Sequence, residues 1–223
     1  MSKKTKHVLV LITVNVFFIL VCFFVLVPVL YAFSVSLNAE NSLLGSDFSF
    51  LPKHMTLQNY KAVFTEKPVL LWLKNSLILA VSSCGVSAVI GTLGAVGLSR
   101  IHWKTKGVME YISILPLMIP EIILGMVLMA FFYMMNLPFG MLTLLIGHTV
   151  FCVPYILMEV KARLAGMDPS LEEAARDLGA GPFLAFWDII LPLIMPAVMS
   201  GSLLAFAMSM DDVVISIFVT GPR

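Results

Sequence analysis

Five long apolar runs, separated by short polar stretches, constrain this chain more than any other feature. They extend from about Val8 to Phe33, Leu70 to Leu98, Val108 to Met135, Met141 to Leu164 and Pro192 to Val219. About 20 such residues in a helix cross a hydrocarbon core of roughly 30 Å. In hydrocarbon the backbone must satisfy its own hydrogen bonds, which leaves helices or a closed barrel. The runs lack the alternation of barrel strands, so helices are predicted. The expected fold is an all-α integral membrane protein, a polytopic bundle of about five transmembrane helices forming one domain over residues 1–223. Composition agrees, with 60% hydrophobic and 12% charged residues, against roughly a quarter charged in a soluble domain.

The basic start Met1-Ser2-Lys3-Lys4-Thr5-Lys6-His7 before an apolar run imitates a signal peptide. The run is longer than a signal core and ends at no small-residue cleavage site, so it reads as a retained first helix. A net charge of +1 gives no reason to invoke nucleic acid. Cys22, Cys84 and Cys152 all sit in apolar runs without Cys-x-x-Cys spacing, so neither disulfide nor metal site is expected. No nucleophile–base constellation suggests an enzyme. The polar stretch 34–67 contains Glu40, Asp47, Pro52 and Glu66, and its segment Met55 to Tyr60 is a candidate start for a short surface helix. In the second run, Ser87, Ala88, Gly91 and Gly94 offer small faces for close helix packing.

Positive charges in short loops set orientation. A cytoplasmic N-terminus places Lys3, Lys4 and Lys6 inside, then Arg100, Lys104 and Lys106, then Lys161, Arg163 and Arg176. Lys53, Lys61, Lys67 and Lys74 fall outside, in or beside a longer loop with three acids, where charge counts for less. The polar segment from about 165 to 191 is therefore expected on the cytoplasmic side.

Within that segment Asp168 can cap a helix opened by Pro169. Glu172 and Glu173 suit the positive end of that helix, and Gly179 is a stop able to take positive φ. Pro182 can open a second helix with Phe183, Phe186 and Trp187 on its apolar side. Ala174 and Ala175 keep the first helix thin, so that a partner surface can approach. From these residues alone, an amphipathic hairpin lying on lipid headgroups is the competing reading.

Three acids lie at membrane depth: Glu121, Asp211 and Asp212. On insertion scales an Asp at a helix centre costs about 2.5–3.5 kcal/mol, so such residues usually face a bundle interior or a water-filled path. Adjacent aspartates point about 100° apart on a helix, so only one faces a pathway and the other needs a helix end, a neighbour or a proton. Glu121 follows Pro116 and Pro120, where a broken helix beside a carboxylate suits a substrate path. The alternative is that these acids bond backbone or polar groups at helix junctions. His148 reads as a hydrogen-bonded packing residue, and Glu159 with Arg163 as an i, i+4 ion pair.

Glu173-Ala174-Ala175, three residues, Gly179, nine residues, Ile189, one residue, Leu191-Pro192 matches every fixed position of the EAA loop of ATP-binding-cassette importer permeases. Leu115-Pro116, Ile119-Pro120-Glu121, Ser209 to Val214 and Phe218 to Pro222 resemble the permeases of spermidine/putrescine importers. The resemblance implies the type I importer permease fold and an inner-membrane location. It also implies that Glu172, Glu173, Ala174, Ala175, Asp177, Gly179 and Ala180 dock an ATPase. The expected partners are two ATPase subunits, a second permease, a periplasmic or lipid-anchored substrate-binding protein, and membrane lipid. ATP and Mg would sit on the ATPases and no cofactor on this chain, which has no Gly-x-x-x-x-Gly-Lys-Ser/Thr segment. Asp211, Asp212 and Glu121 would line the path of a polyamine. Another small cation, a metal ion, or a transport-inactive assembly subunit are the alternatives. Such permeases usually have six spans, so the five here imply truncation or continuation in a further segment.

Overall fold

The computed structural model describes residues 3–38, 55–66, 68–100, 104–168, 170–177 and 179–221. The readings placed on Glu40, Asp47, Pro52, Lys53, Lys67, Pro169 and Pro222 lie outside them. The chain divides into two compact units, Met1–Trp72 and Leu73–Arg223.

In the first unit, α1 (Lys3–Ser36) is a single helix of 34 residues. Its polar groups turn inward on the helix itself: the Thr13 hydroxyl donates to the Leu9 carbonyl at 3.0 Å and the Asn15 amide to the Leu11 carbonyl at 2.9 Å. The last carbonyls of a helix lack intrahelical partners. Here Asn59, on α2 (Gln58–Glu66), donates its side-chain amide to the carbonyls of Ser36 and Asn38 at 3.1 and 2.9 Å. Tyr60 meets the Ser36 hydroxyl at 2.7 Å. The short surface helix expected after Met55 is therefore present and ties down the end of α1.

The second unit is built on α3 (Val69–Arg100), α6 (Met141–Ala165) and α9 (Leu191–Asp211). Ile156 of α6, fully buried, is gripped from two sides. A Cβ on Gly91 of α3 would lie 3.0 Å from the Ile156 Cβ, and one on Gly201 of α9 would lie 2.9 Å from the Ile156 Cα. Ser87, on the same face of α3, donates its hydroxyl to the Thr149 carbonyl at 3.4 Å. The small face expected on the second span thus packs on α6, through Ser87 and Gly91, while Gly85 and Gly97 face open space.

The third run is not one helix. It forms α4 (Lys106–Met118) and α5 (Glu121–Met134), which meet at 106°. Ile119, at φ −85° and ψ 130°, is extended because Pro120 follows it. Among the described residues four helices are long and apolar enough to cross a membrane, and the bent pair makes a fifth if counted together. The fifth run also breaks: α9 ends at Asp211 and α10 (Val214–Val219) begins after an extended Asp212. The β pairing among the described residues is one isolated bridge, Asn38 with Met55.

α10 folds back against α5 and α6. A Cβ on Gly125 of α5 would meet the Phe218 ring at 2.6 Å, and Gly147 of α6 faces Ile215 and Val219. The turn before α6 carries Asn136 at φ 53°, a conformation Asn tolerates. Gly221 lies directly on the Phe139 carbonyl of that turn, leaving no room for a side chain. Thr143 completes the joint, accepting from the Gly140 amide and donating to the Val219 carbonyl, both at 2.8 Å. At the other end of the unit, Glu110 of α4 pairs with Lys161 of α6 at 2.8 Å. Arg163 does not pair with Glu159 as its spacing suggests; its Nε donates to the Leu193 carbonyl at 3.0 Å.

The Ile156 grip gives a direct test. Gly201→Val forces a side chain into the α6 backbone and should cost about 1–3 kcal/mol, the usual range for overpacking. Gly97→Ala, with open space around it, should not lower stability. Thermal unfolding of the detergent-solubilised protein checks both, and equal midpoints for the two variants would contradict the packing described.

Candidate functional site

The polar loop is a helix, a sharp turn and a second helix. Asp168 caps α7 (Ser170–Asp177), its Oδ1 accepting from the Ser170 amide at 3.0 Å. The amide and hydroxyl of Ser170 hold the Asp168 carboxyl below its ordinary value. The cap is therefore present at neutral pH and is lost only as pH falls through that lowered value. At the other end, Ala180 N–H donates to the Ala175 carbonyl at 3.0 Å and Gly179 N–H to the Arg176 carbonyl at 2.9 Å. This pair of bonds is the Schellman stop, and Gly179 takes the φ of 85° that it demands.

The second helix is not a separate piece, as the sequence suggested. Pro182–Ala185 (α8) runs through a π-helical turn at Phe186–Ile190 straight into α9. The Leu191 amide reaches back five residues to the Phe186 carbonyl. Pro192 explains the widening: it has no N–H for the Asp188 carbonyl, and its ring crowds that carbonyl. Phe183 and Trp187 are exposed and meet edge to face, with centroids 6.1 Å apart, while Phe186 is half-buried.

Of the predicted docking residues, Glu173, Ala174, Asp177 and Gly179 are exposed and Ala180 is half-buried. Glu172 lies on α7, with its side chain outside the described residues. Ala175 corrects the expectation of a thin, open face. It is 5% exposed, on a helix packed against α8 and the π-helical turn, so its small side chain serves the chain's own packing. The loop rests over the ends of α3 and α6, where Arg100, Leu164, Asp168 and Ile190 help line a cavity of about 220 Å³.

The three membrane acids come together. Glu121, Asp211 and Asp212 line one cavity of about 300 Å³, with Pro116, Phe151 and Tyr155 among its other walls. Two helix breaks place them there: Glu121 opens α5 after the Pro120 bend, and the aspartates sit where α9 stops. Glu121 and Asp211 are exposed, and neither is ion-paired among the described residues. Asp212 is different. Its Oδ1 accepts from the Ile215 amide at 3.1 Å, and its Oδ2 from the Ser216 amide and hydroxyl at 3.0 and 2.8 Å. It caps α10.

Behind Asp212 lies a buried polar cluster. His148 Nε2 is 3.4 Å from Asp212 Oδ2 and 3.0 Å from Ser216 Oγ. Its Nδ1 is 2.8 Å from Ser209 Oγ, which in turn is 3.2 Å from Ser83 Oγ. His148 is the hydrogen-bonded packing residue expected from the sequence, whereas its place behind the cavity and the part of Tyr155 are not read there. Both lie on α6 at i and i+7, the spacing of one helix face, and that was the available signal.

Fold and site together define a polytopic membrane protein with an acidic cavity at two helix breaks and a structured polar loop at one membrane exit. The chain belongs to the family of binding-protein-dependent transport system inner membrane components, whose model matches residues 87–223. It is 38% identical over 182 residues to the spermidine/putrescine transport system permease protein PotC of Escherichia coli, covering 82% of this chain and 69% of that one. The putrescine transport system permease protein PotI of the same organism is 40% identical over 154 residues, covering 66% and 55%. A PotC homolog of Mycoplasma genitalium is 32% identical over 223 residues, covering 97% and 78%. The chain is thus a multi-pass inner-membrane transport component with the helical fold of the type I importer permeases. As such it works with an ATPase and a binding protein, and its family is one of permeases rather than enzymes.

The turn at Gly179 can be tested alone. A Cβ there meets nothing within 4 Å, so Gly179→Ala carries only the left-handed backbone cost of roughly 1–2 kcal/mol. The α7 amides should then exchange hydrogen about five- to thirtyfold faster, with the α9 amides unchanged. Gly181→Ala, at φ −69°, is the control and should exchange like the parent.

Proposed function

We propose that this chain is a translocation subunit of an ATP-driven polyamine importer, carrying spermidine or putrescine inward. The observation that carries this reading is the meeting of Glu121, Asp211 and Asp212 with Phe151 and Tyr155 around one cavity. Carboxylates pair with ammonium groups, and aromatic faces attract cations once water is reduced. The names of the relatives point to the same cargo. Division of labour follows from the hydrogen bonds: Glu121 and Asp211 supply the uncommitted charge, while Asp212 shapes the break. A metal-ion cargo has less support, since among the described residues no three His, Cys, Asp or Glu side chains, the cavity carboxylates included, are placed to hold one ion together.

The N-terminus and the 165–191 loop lie on the cytoplasmic side in this reading. Its support is the positive charge of Arg100, Lys104, Lys106 and Lys161, together with the Glu110–Lys161 pair that joins two of these segments. Two ATPase subunits bind the loops of this chain and of a second permease. Glu173 and Asp177 make the polar contacts, the small side chain of Ala174 lets the partner surface approach, and Gly179 holds their angle. ATP and Mg remain on the ATPases. A binding protein, periplasmic or lipid-anchored, delivers cargo at the opposite face.

Energy transfer then has a continuous mechanical route. Pro182–Asp211 spans 30 residues, with the docking turn at one end and Asp211 at the other. When the ATPases close, the loop moves as a rigid body and α9 swings with it, changing which side the cavity opens to.

Uptake of radiolabelled putrescine and spermidine by the complete importer tests this directly. Glu173→Lys and Gly179→Asp should abolish uptake while the chain still inserts in the membrane. Normal uptake by either variant would remove the docking role. Glu121→Gln with Asp211→Asn should raise the KM for polyamine by about tenfold or more, as loss of charge-assisted contacts requires. An unchanged KM would place the cargo elsewhere.

A further inference from the structure

His148 is buried, 1% exposed at its side chain, and stands directly behind a carboxylate that lines the cavity. The hydrogen bonds around it have a direction. The Ser216 hydroxyl donates to Asp212 Oδ2, so its oxygen is left to accept, and the group facing it is His148 Nε2. Nε2 therefore carries a proton. Nδ1 faces the Ser209 hydroxyl, which either donates to a neutral ring or turns to accept from a protonated one. In the second case Ser209 can donate onward to Ser83. A rotatable hydroxyl at each nitrogen means that neither charge state of the ring strands a buried polar group.

The ring joins α6 to the exact point where α9 yields to α10. We infer that His148 is the positioning residue of the acidic cavity, pinning Asp212 through Nε2 and setting by its own protonation how strongly the cavity attracts a cation. The inference rests on reading the cavity as a cation site. With a neutral ring no positive charge on His148 offsets the carboxylates that line the cavity. With a protonated ring a positive charge stands 3.4 Å from Asp212, and the cavity holds one net negative charge fewer. Other titratable groups on this side of the packed elements are Tyr155 and Cys152 on α6, Cys84 on α3 beside Cys152, Asp211 on α9 and Glu121 on α5. α3 and α10 meet the ring with Ser83, through Ser209, and with Ser216, which do not titrate.

The test uses the assembled importer in detergent, with Cys22, Cys84 and Cys152 replaced and a single cysteine introduced by Val213→Cys in the cavity wall. Reaction rates with a cationic and an anionic methanethiosulfonate are followed from about pH 8 to about pH 5.5. The cation-to-anion rate ratio should fall by about tenfold on acidification, the effect of one charge nearby in a partly screened site. H148Q should lose most of that fall, keeping only what the carboxylates contribute. The same fall in H148Q as in the parent would overturn the proposal. A second arm measures polyamine uptake at about pH 8. H148L, which removes the Nε2 donor, should raise KM about tenfold, and H148Q, whose amide replaces that donor, should recover most of the loss. Equal KM values for H148L and H148Q would overturn the positioning role. If H148L fails to assemble, the thiol ratio in H148Q decides. A parent complex that takes up no polyamine, yet shows the His148-dependent ratio, would sink the cargo reading and leave this role standing.

Discussion

A carboxylate inside a membrane protein must be satisfied or it will not stay charged, and Asp212 is satisfied by the backbone it interrupts. Its two oxygens take the Ile215 and Ser216 amides, groups that would otherwise have no partner at the start of α10. That exchange stands where α9 ends at Asp211 and the chain turns into α10. The turn lets Ile215 and Val219 pack on Gly147 and lets Phe218 cover Gly125. It also leaves Asp211 at the mouth of the cavity. Without the cap, α9 would have no reason to stop there, and neither the fold-back of α10 nor the cavity would follow.

The same carboxylate explains why sequence reading reached some features and missed others. Hydrophobic runs reported helices because burial in lipid is a property of composition over many residues. Gly179 and Asp168 were legible because caps and stops are local chemistry, set within a few residues. Pro120 announced a break, but the 106° angle depends on what α5 packs against and is not written near Pro120. Asp212 was harder still. Two adjacent acids on a helix allow one to face a path and the other to find a helix end, and only the amides of Ile215 and Ser216 decide between them. His148 reads as a hydrogen-bonded packing residue and is one, but its partners Ser209 and Ser216, with Ser83 beyond Ser209, come from three different helices and are not written near it. Ala175 erred in the opposite direction: a small residue beside Glu173 reads equally as an opening for a partner or as a close contact within the chain, and burial alone separates these.

The π-helical turn at Phe186–Ile190 completes the physical picture of α9. A helix that must carry motion from a membrane exit to a cavity should be stiff along its length and compliant at one place. Pro192 and Pro196 both lie near the loop end of α9, where missing amides weaken the ladder. Buried Ile190 and Ile194 hold the same stretch to the core, so the weakness is confined rather than general. Beyond Pro196 the helix is uninterrupted to Asp211, and Gly201 presses it to Ile156. A push on the loop therefore bends the turn or carries α9 bodily. It cannot be absorbed halfway. In the proposed mechanism this arrangement puts compliance beside the docking surface and rigidity beside the carboxylates, the order that coupling a distant motion to a cation site would require.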